Sequence, residues 1–176
     1  MKLLNTPIAG SAIYVRYALY AAGALALAAL QVSLFGIVDV AGITPDALLI
    51  YTVWIALREG RFVALFAGFV IGIIFDFVTL DIVGTNALAK LLVAFIAGSF
   101  YEEGQERKTI GSIRFPLIVF ASSVAHNLVY FFFYIKPSEI SYWEFFLKYG
   151  LSLSFYTTVI SLAVMLLHIP KREINR

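Results

Sequence analysis

The sequence predicts an all-α integral membrane protein, a compact bundle of six transmembrane helices with a short second helix and a recessed outer loop. Of its 176 residues, 61% are hydrophobic and only 14% are charged, and the mean hydropathy is +0.91. A soluble domain of this composition would have to expose a largely apolar surface. We therefore expect a single multi-pass membrane domain over residues 1–176.

Six apolar segments are expected to cross the membrane. The predicted spans are residues 17–37, 45–57, 62–80, 85–101, 115–135 and 145–168. The first span is interpreted as a retained helix, because its apolar run of about twenty residues exceeds the core of a usual signal peptide. An even number of crossings places both termini on the same side of the membrane.

Basic residues in short loops favour the cytoplasm, so their distribution predicts the orientation. With a cytoplasmic N-terminus, the inner side has Lys2, Arg16, Arg58, Arg61, Arg107, Lys108, Arg114, Lys171, Arg172 and Arg176, and the outer side has Lys136 and Lys148. Acidic residues lie towards the outer side instead: Asp39, Asp46, Asp76, Asp81, Glu139 and Glu144. This asymmetry predicts that both termini are cytoplasmic.

The second span is too short to cross a bilayer unaided. A helix over residues 45–57 rises roughly 20 Å, against a hydrocarbon thickness of about 30 Å. Thr44 is a good N-cap, Pro45 suits the first helical position, and Asp46 complements the helix dipole. We therefore expect a recessed helix start, preceded by an apolar loop over residues 34–43 that dips into the outer leaflet under cover of protein. Local thinning of the bilayer is the alternative.

The third span has small residues on one helical face, where Ala64, Gly68 and Gly72 recur at intervals of four. Glycines on such a face allow the backbone of another helix to approach closely. The first span has comparable alanines, with Ala18, Ala22 and Ala26 at one spacing and Ala24 and Ala28 at another. These alanines predict close helix packing, either inside this protein or against a partner.

Asp76 continues the glycine stripe and needs a polar partner inside the membrane. If residues 81–84 form the turn to the next span, Asp76 and Lys90 lie at equal depth, and Asn86 lies one turn before Lys90. We expect a buried polar cluster of Asp76, Lys90 and Asn86, with Asp46 as a further member. Alternatively, Lys90 extends to the lipid headgroups.

Polar residues in the last two spans predict hydrogen bonds between helices. His126 and Asn127 in the fifth span correspond to Ser154 and Thr157 in the sixth. We interpret His126 as a structural residue, since neither of these two spans contains an acidic partner for a proton relay.

Several kinds of function are excluded by what the sequence lacks. With no cysteine and two histidines, it offers no thiolate or histidine-based metal site. Motifs of hydrolases, zinc proteases and nucleotide-binding loops are absent, so we expect no catalytic site, no cofactor and no enzymatic activity. Nucleic acid is not expected as a partner, because the basic residues are dispersed between apolar segments.

An ordered series of motifs runs from Pro45 to Gly98. It consists of Pro45-Asp46, Leu57-Arg58-Glu59-Gly60, Gly68-x-x-x-Gly72-x-x-x-Asp76, Gly84-x-Asn86-Ala87 and Ala97-Gly98. In this order the motifs resemble the bacterial rod shape-determining protein MreD family. Lys90 lies outside these motifs, so the predicted Asp76–Lys90 pair belongs to this sequence alone.

The resemblance implies a non-enzymatic scaffold for cell-wall elongation in the bacterial cytoplasmic (inner) membrane. Such proteins work with MreC, a single-span protein, and connect the MreB filament to the glycan polymerase RodA and its transpeptidase. Candidate contacts are the alanine face of the first span, the outer loop Lys136 to Glu144 and the cytoplasmic loop Gln105 to Arg114, besides membrane lipids.

A second interpretation is a substrate-binding subunit of a vitamin transporter of the energy-coupling factor type, whose six-helix subunits are of similar size. In that case the recessed loop, with Asp46, Asp76 and Lys90, would cover a substrate cavity open to the outside.

Overall fold

The computed structural model describes residues 7–38, 43–80, 82–134 and 141–169, and all regular elements within these ranges are helices. They are α1 (Pro7–Val38), α2 (Ala47–Glu59), α3 (Arg61–Thr79), α4 (Thr85–Gly98), α5 (Glu106–Ile110), α6 (Arg114–Tyr134), α7 (Tyr142–Phe145) and α8 (Leu151–Leu167). A π-helical turn, Phe146–Gly150, joins α7 to α8. The predicted all-α class is confirmed.

Within the described residues, four helical segments are long and apolar enough to cross a membrane, which indicates a multi-pass membrane protein. They are Ile13–Ser33, Arg61–Thr79, Arg114–Phe133 and Tyr142–Leu167. The other two predicted spans correspond to the shorter helices α2, with 13 residues, and α4, with 14 residues. The number of six crossings therefore stays a prediction.

Several charged residues used to predict the orientation lie outside the described residues. They are Lys2, Asp39, Asp81, Lys136, Glu139, Lys171, Arg172 and Arg176.

The short helix α2 lies at the centre of the bundle and contacts α1, α3, α4, α6 and α8. Most of its apolar residues are buried, and Leu49, Val53 and Ala56 are completely so. Surrounding helices shield this helix from lipid, so its length need not match the bilayer thickness.

The start of α2 is recessed in the bundle, but the predicted loop over residues 34–43 is wrong in its first half, because residues 34–38 belong to α1, and residues 39–42 lie outside the described residues. Asp46 is the N-cap and its Oδ1 accepts a hydrogen bond from Leu49 N at 2.8 Å, so the predicted cap at Thr44 is wrong. Asp46 also lies beside His126, in the middle of α6, roughly 12 Å from the end of that helix at 1.5 Å per residue. The aspartate replaces Thr44 as cap because its carboxylate, one residue before Ala47, reaches the free N–H groups of the first turn.

α3 and α4 pack with their backbones in direct contact. A Cβ added at Gly72 would lie 2.3 Å from Ala87 Cα, and one at Gly68 would lie 2.8 Å from the Lys90 carbonyl oxygen. At the opposite end of the pair, a Cβ on Gly98 would lie 2.7 Å from Arg61 Cα. The glycines thus set the distance between the helices, as predicted for Gly68 and Gly72.

α1 packs on α2 and α3 through one of its two predicted alanine faces, the one with Ala24 and Ala28. Ala24 and Ala28 are buried. Tyr51 of α2 lies against Gly23, the residue before Ala24. Ala18, Ala22 and Ala26 are exposed, so they do not pack inside this chain, and their contact with a partner stays a prediction. The larger side chains of α2 fit against the face that contains glycine, and the exposed alanines lie on the other side of the helix.

Candidate functional site

A buried ion pair connects the start of α2 to the middle of α4. Lys90 Nζ donates a hydrogen bond to Asp46 Oδ2 at 2.8 Å, and the Lys90 residue has an exposed fraction of 0%. Lys90 Nζ also lies 3.4 Å from Asn86 Oδ1 and 5.1 Å from the centre of the Phe75 ring. The Lys90 ammonium is therefore held within the bundle and does not extend to the headgroups.

His126 of α6 completes this cluster from the opposite side. Its Nε2 lies 3.4 Å from Lys90 Nζ and 3.9 Å from Asp46 Oδ2, and its ring stacks on Tyr130 with centroids 6.0 Å apart. The central cluster, defined as Asp46, Asn86, Lys90 and His126, is thus built from three helices.

Asp76 has a different role from the predicted one. Its two carboxylate oxygens accept hydrogen bonds from the backbone N–H groups of Gly84 at 2.8 Å, Asn86 at 3.0 Å and Ala87 at 3.4 Å. Free N–H groups at a buried helix start need acceptors, and this carboxylate reaches them across the α3–α4 turn. The predicted Asp76–Lys90 pair is therefore wrong: Asp76 caps α4, and Lys90 pairs with Asp46.

The N–H groups at the start of α2 are satisfied by side chains of two other helices and by the helix's own cap, Asp46. Asp46 N donates to Thr157 Oγ1 of α8 at 3.1 Å, and Leu48 N donates to Gln31 Oε1 of α1 at 3.3 Å. Together with the Asp46 cap on Leu49, these bonds explain how a helix can begin deep in an apolar environment.

Asn127 attaches α6 to α8 next to the central cluster. Its Nδ2 donates to Gly150 O at 3.1 Å and to Ser154 Oγ at 2.9 Å, while its Oδ1 lies 3.3 Å from His126 Nδ1. The Gly150 carbonyl belongs to the π-helical turn. Asn127 therefore connects α6 with α8 and contacts the ring of His126, which matches its predicted place between the last two spans.

A cavity of 390 Å³ lies beside the central cluster at the end of the bundle where α2 and α4 begin. Its polar lining includes Gln31, Asp46, Asn86, His126 and Asn127, and its aromatic lining includes Phe75, Tyr130, Phe131, Phe145 and Tyr149. Convergent polar groups on an aromatic wall are typical of ligand sites. Among the described residues, no group of three or more His, Cys, Asp or Glu side chains could hold a metal ion.

The contacts of His126 and Thr157 with Asp46 were not predicted from the sequence. His126 was separated from the predicted cluster because its own helix and α8 contain no acid, although Asp46 reaches it from α2. Thr157 was predicted only as a partner of α6. The available signal was depth in the membrane. If the start of α2 is recessed, Asp46 lies at the level of the polar residues in the middle of the other spans.

The comparison with protein families gives one match. The family model for rod shape-determining protein MreD matches residues 17–169. Neither a curated protein nor a solved structure matches the chain, so the likeness to subunits of energy-coupling factor transporters stays a prediction. Because the match covers most of the chain and confirms the resemblance of its motifs, this protein belongs to the MreD family of rod shape-determining proteins.

Proposed function

We propose that this protein is a non-enzymatic membrane scaffold of the cell-wall elongation machinery, which binds an MreC-like single-span partner in the cytoplasmic membrane and supports lateral peptidoglycan synthesis. The observation that supports it most is the family match over residues 17–169, since the family implies a role in rod-shape determination. The family acts in shape determination with MreC and MreB, and it is not a known enzyme family.

The structure offers one surface for a single-span partner. On α1, the exposed residues Ala18, Ala22 and Ala26 form a small-residue face outside the contacts with α2 and α3. Small residues allow close helix packing where no hydrophobic effect drives association. We assign the partner's membrane helix to this face, and RodA-type polymerase with its transpeptidase to the wider assembly.

Cross-linking tests this surface cleanly because the chain has no native cysteine. Ala22→Cys on α1 should form disulfides with cysteines placed along the membrane helix of the co-expressed single-span partner. Ala121→Cys, an exposed alanine on α6, is the matched control and should form none. Equal cross-linking at both positions would count against the α1 face.

The cellular role has its own test. Depletion of the protein should turn rod-shaped cells round, and gentle extraction should recover the single-span partner with wall polymerases. Cells of normal shape that require a nutrient would contradict the scaffold proposal.

The cavity favours a second candidate function, a substrate-binding subunit of a vitamin transporter of the energy-coupling factor type. Its volume of 390 Å³ and its lining by Asp46, Asn86 and His126 suit a small polar molecule. Native mass spectrometry of the protein extracted from cells would reveal a bound vitamin and associated ATPase subunits in this case, and neither in the case of the scaffold.

A further inference from the structure

A second polar cavity, of 380 Å³, lies at the end of the bundle where α2 ends. α1 contributes Arg16, α2 contributes Trp54 and Arg58, α5 contributes Arg107, and His168 follows the end of α8. This is the end that the distribution of basic residues predicts to be cytoplasmic. The basic cavity, as we call this site, is separate from the central cluster.

The arginines of the basic cavity differ in how they are paired. Arg16 Nη2 lies 3.2 Å from Glu59 Oε2, and Tyr20 donates to the other oxygen of the same carboxylate at 2.6 Å. Arg58 and Arg107 are exposed, and neither makes an ion pair within the described residues. The Arg58 guanidinium lies 4.9 Å above the Trp54 ring, which holds it at the cavity.

Two acids also line the cavity, and both have other partners. Glu59 accepts from Arg16 and Tyr20, while Glu106 accepts a hydrogen bond from Gly104 N at 3.0 Å. This backbone bond lowers the pKa of the Glu106 carboxyl, so it stays ionised. Three arginines against two acids leave an excess of one positive charge, which favours an anion.

The basic cavity borders the lipid-facing surface of the protein. Trp54 lines the cavity, and the centroid of its ring lies 5.8 Å from that of Tyr20 on α1 and 6.4 Å from that of His168. Next to His168, Leu167 and Ile169 are exposed apolar residues. Guanidinium groups above apolar side chains at a helix end match the boundary between headgroups and acyl chains.

We propose that the basic cavity binds the phosphate headgroup of an anionic phospholipid of the inner leaflet. Arg58 and Arg107 contact the phosphate oxygens, since the planar guanidinium suits phosphate geometry. Trp54 and Leu167, the residue before His168, pack against the glycerol and upper acyl chain. Basic pockets between helices on the cytoplasmic side commonly recognise such lipids, whereas a soluble anion would gain nothing from the exposed apolar rim.

Native mass spectrometry of the full chain in detergent tests this proposal. Delipidated protein is titrated with phosphatidylglycerol, phosphatidylcholine or inorganic phosphate. Wild type should retain phosphatidylglycerol in preference to phosphatidylcholine, and Arg58→Gln with Arg107→Gln should weaken that binding by roughly tenfold or more. The charge-matched control, Lys108→Gln with Arg114→Gln, removes two exposed basic residues outside the cavity and should bind like wild type.

Three results would overturn the proposal. Equal loss in the control pair would mean that general surface charge attracts the lipid. If millimolar inorganic phosphate competes as strongly as lipid does, the site binds free anions. If wild type binds phosphatidylcholine as well as phosphatidylglycerol, the headgroup has no role. If the double variant does not purify as a single species, Arg107→Gln alone should still weaken binding severalfold.

Discussion

Replacing Lys90 by methionine is predicted to destabilise the bundle by about 3–5 kcal/mol, because it leaves the buried Asp46 carboxylate without its cation. The 2.8 Å contact sets the scale. At that distance two unit charges attract by roughly 6 kcal/mol at an effective dielectric constant of 20, and the cost of removing both charges from water offsets part of this attraction. Neighbouring His126, at 3.9 Å from the carboxylate, offers partial compensation, so the lower part of the range is expected.

The pairing determines which second substitution rescues this variant. Asp46→Asn removes the charge but keeps a good N-cap for α2, since asparagine and aspartate cap about equally well. The double variant Asp46→Asn with Lys90→Met should therefore recover most of the lost stability. Asp76→Asn should not rescue Lys90→Met, because Asp76 accepts its hydrogen bonds from the N–H groups at the start of α4.

Unfolding of the purified protein in mixed micelles with increasing SDS, followed by tryptophan fluorescence, measures these differences. A double-mutant cycle then isolates the coupling between the two positions. Rescue by Asp76→Asn, or a loss below about 1 kcal/mol in Lys90→Met, would refute the reasoning, since a buried unpaired carboxylate costs more than that.

The same unfolding assay checks three further predictions. Gly72→Ala should cost about 1–3 kcal/mol, because its Cβ would lie 2.3 Å from Ala87 Cα and α3 must move away from α4; wild-type stability would show that the helices are not in contact there. Gly60→Ala should cost a similar 1–3 kcal/mol, because the turn between α2 and α3 has φ +85 there, and a neutral result would exclude that backbone conformation. Ser122→Ala should be neutral or stabilising, because the buried Ser122 Oγ has no hydrogen-bond partner among the described residues. Ser154→Ala should instead cost about 1 kcal/mol, because it loses the hydrogen bond to Asn127. A larger loss of stability in Ser122→Ala than in Ser154→Ala would contradict both assignments.

The sequence predicted those features that depend on local spacing. The intervals of four from Ala64 to Asp76 placed Gly68 and Gly72 on one face, and the length of the second span indicated that it needs protein cover. Equal depth on the two sides of the α3–α4 turn also predicted that Asp76 lies beside Asn86, because helices joined by a short turn must run side by side.

Features that depend on competition between partners could not be predicted in this way. Helical spacing allows Asp76 to contact either Lys90 or the N–H groups at the start of α4, and it does not say which of them the carboxylate contacts. The two alanine stripes of α1 were equivalent in sequence, and only the position of Tyr51 on α2 selects the face with Ala24. Likewise, the contact between Asp46 and His126 joins residues far apart in the chain, so it requires the complete arrangement of helices.

The contacts of Asp46, the N-cap of α2, with other helices have a consequence for the assembly of the protein during membrane insertion. Its partners Lys90, His126 and Thr157 belong to α4, α6 and α8, which emerge later from the ribosome. Until those helices arrive, a short α2 with a charged start has neither the length nor the partners to be stable in lipid. α2 therefore reaches its final position only late in synthesis, and a chain truncated before α6 should be an early substrate for membrane quality-control proteases.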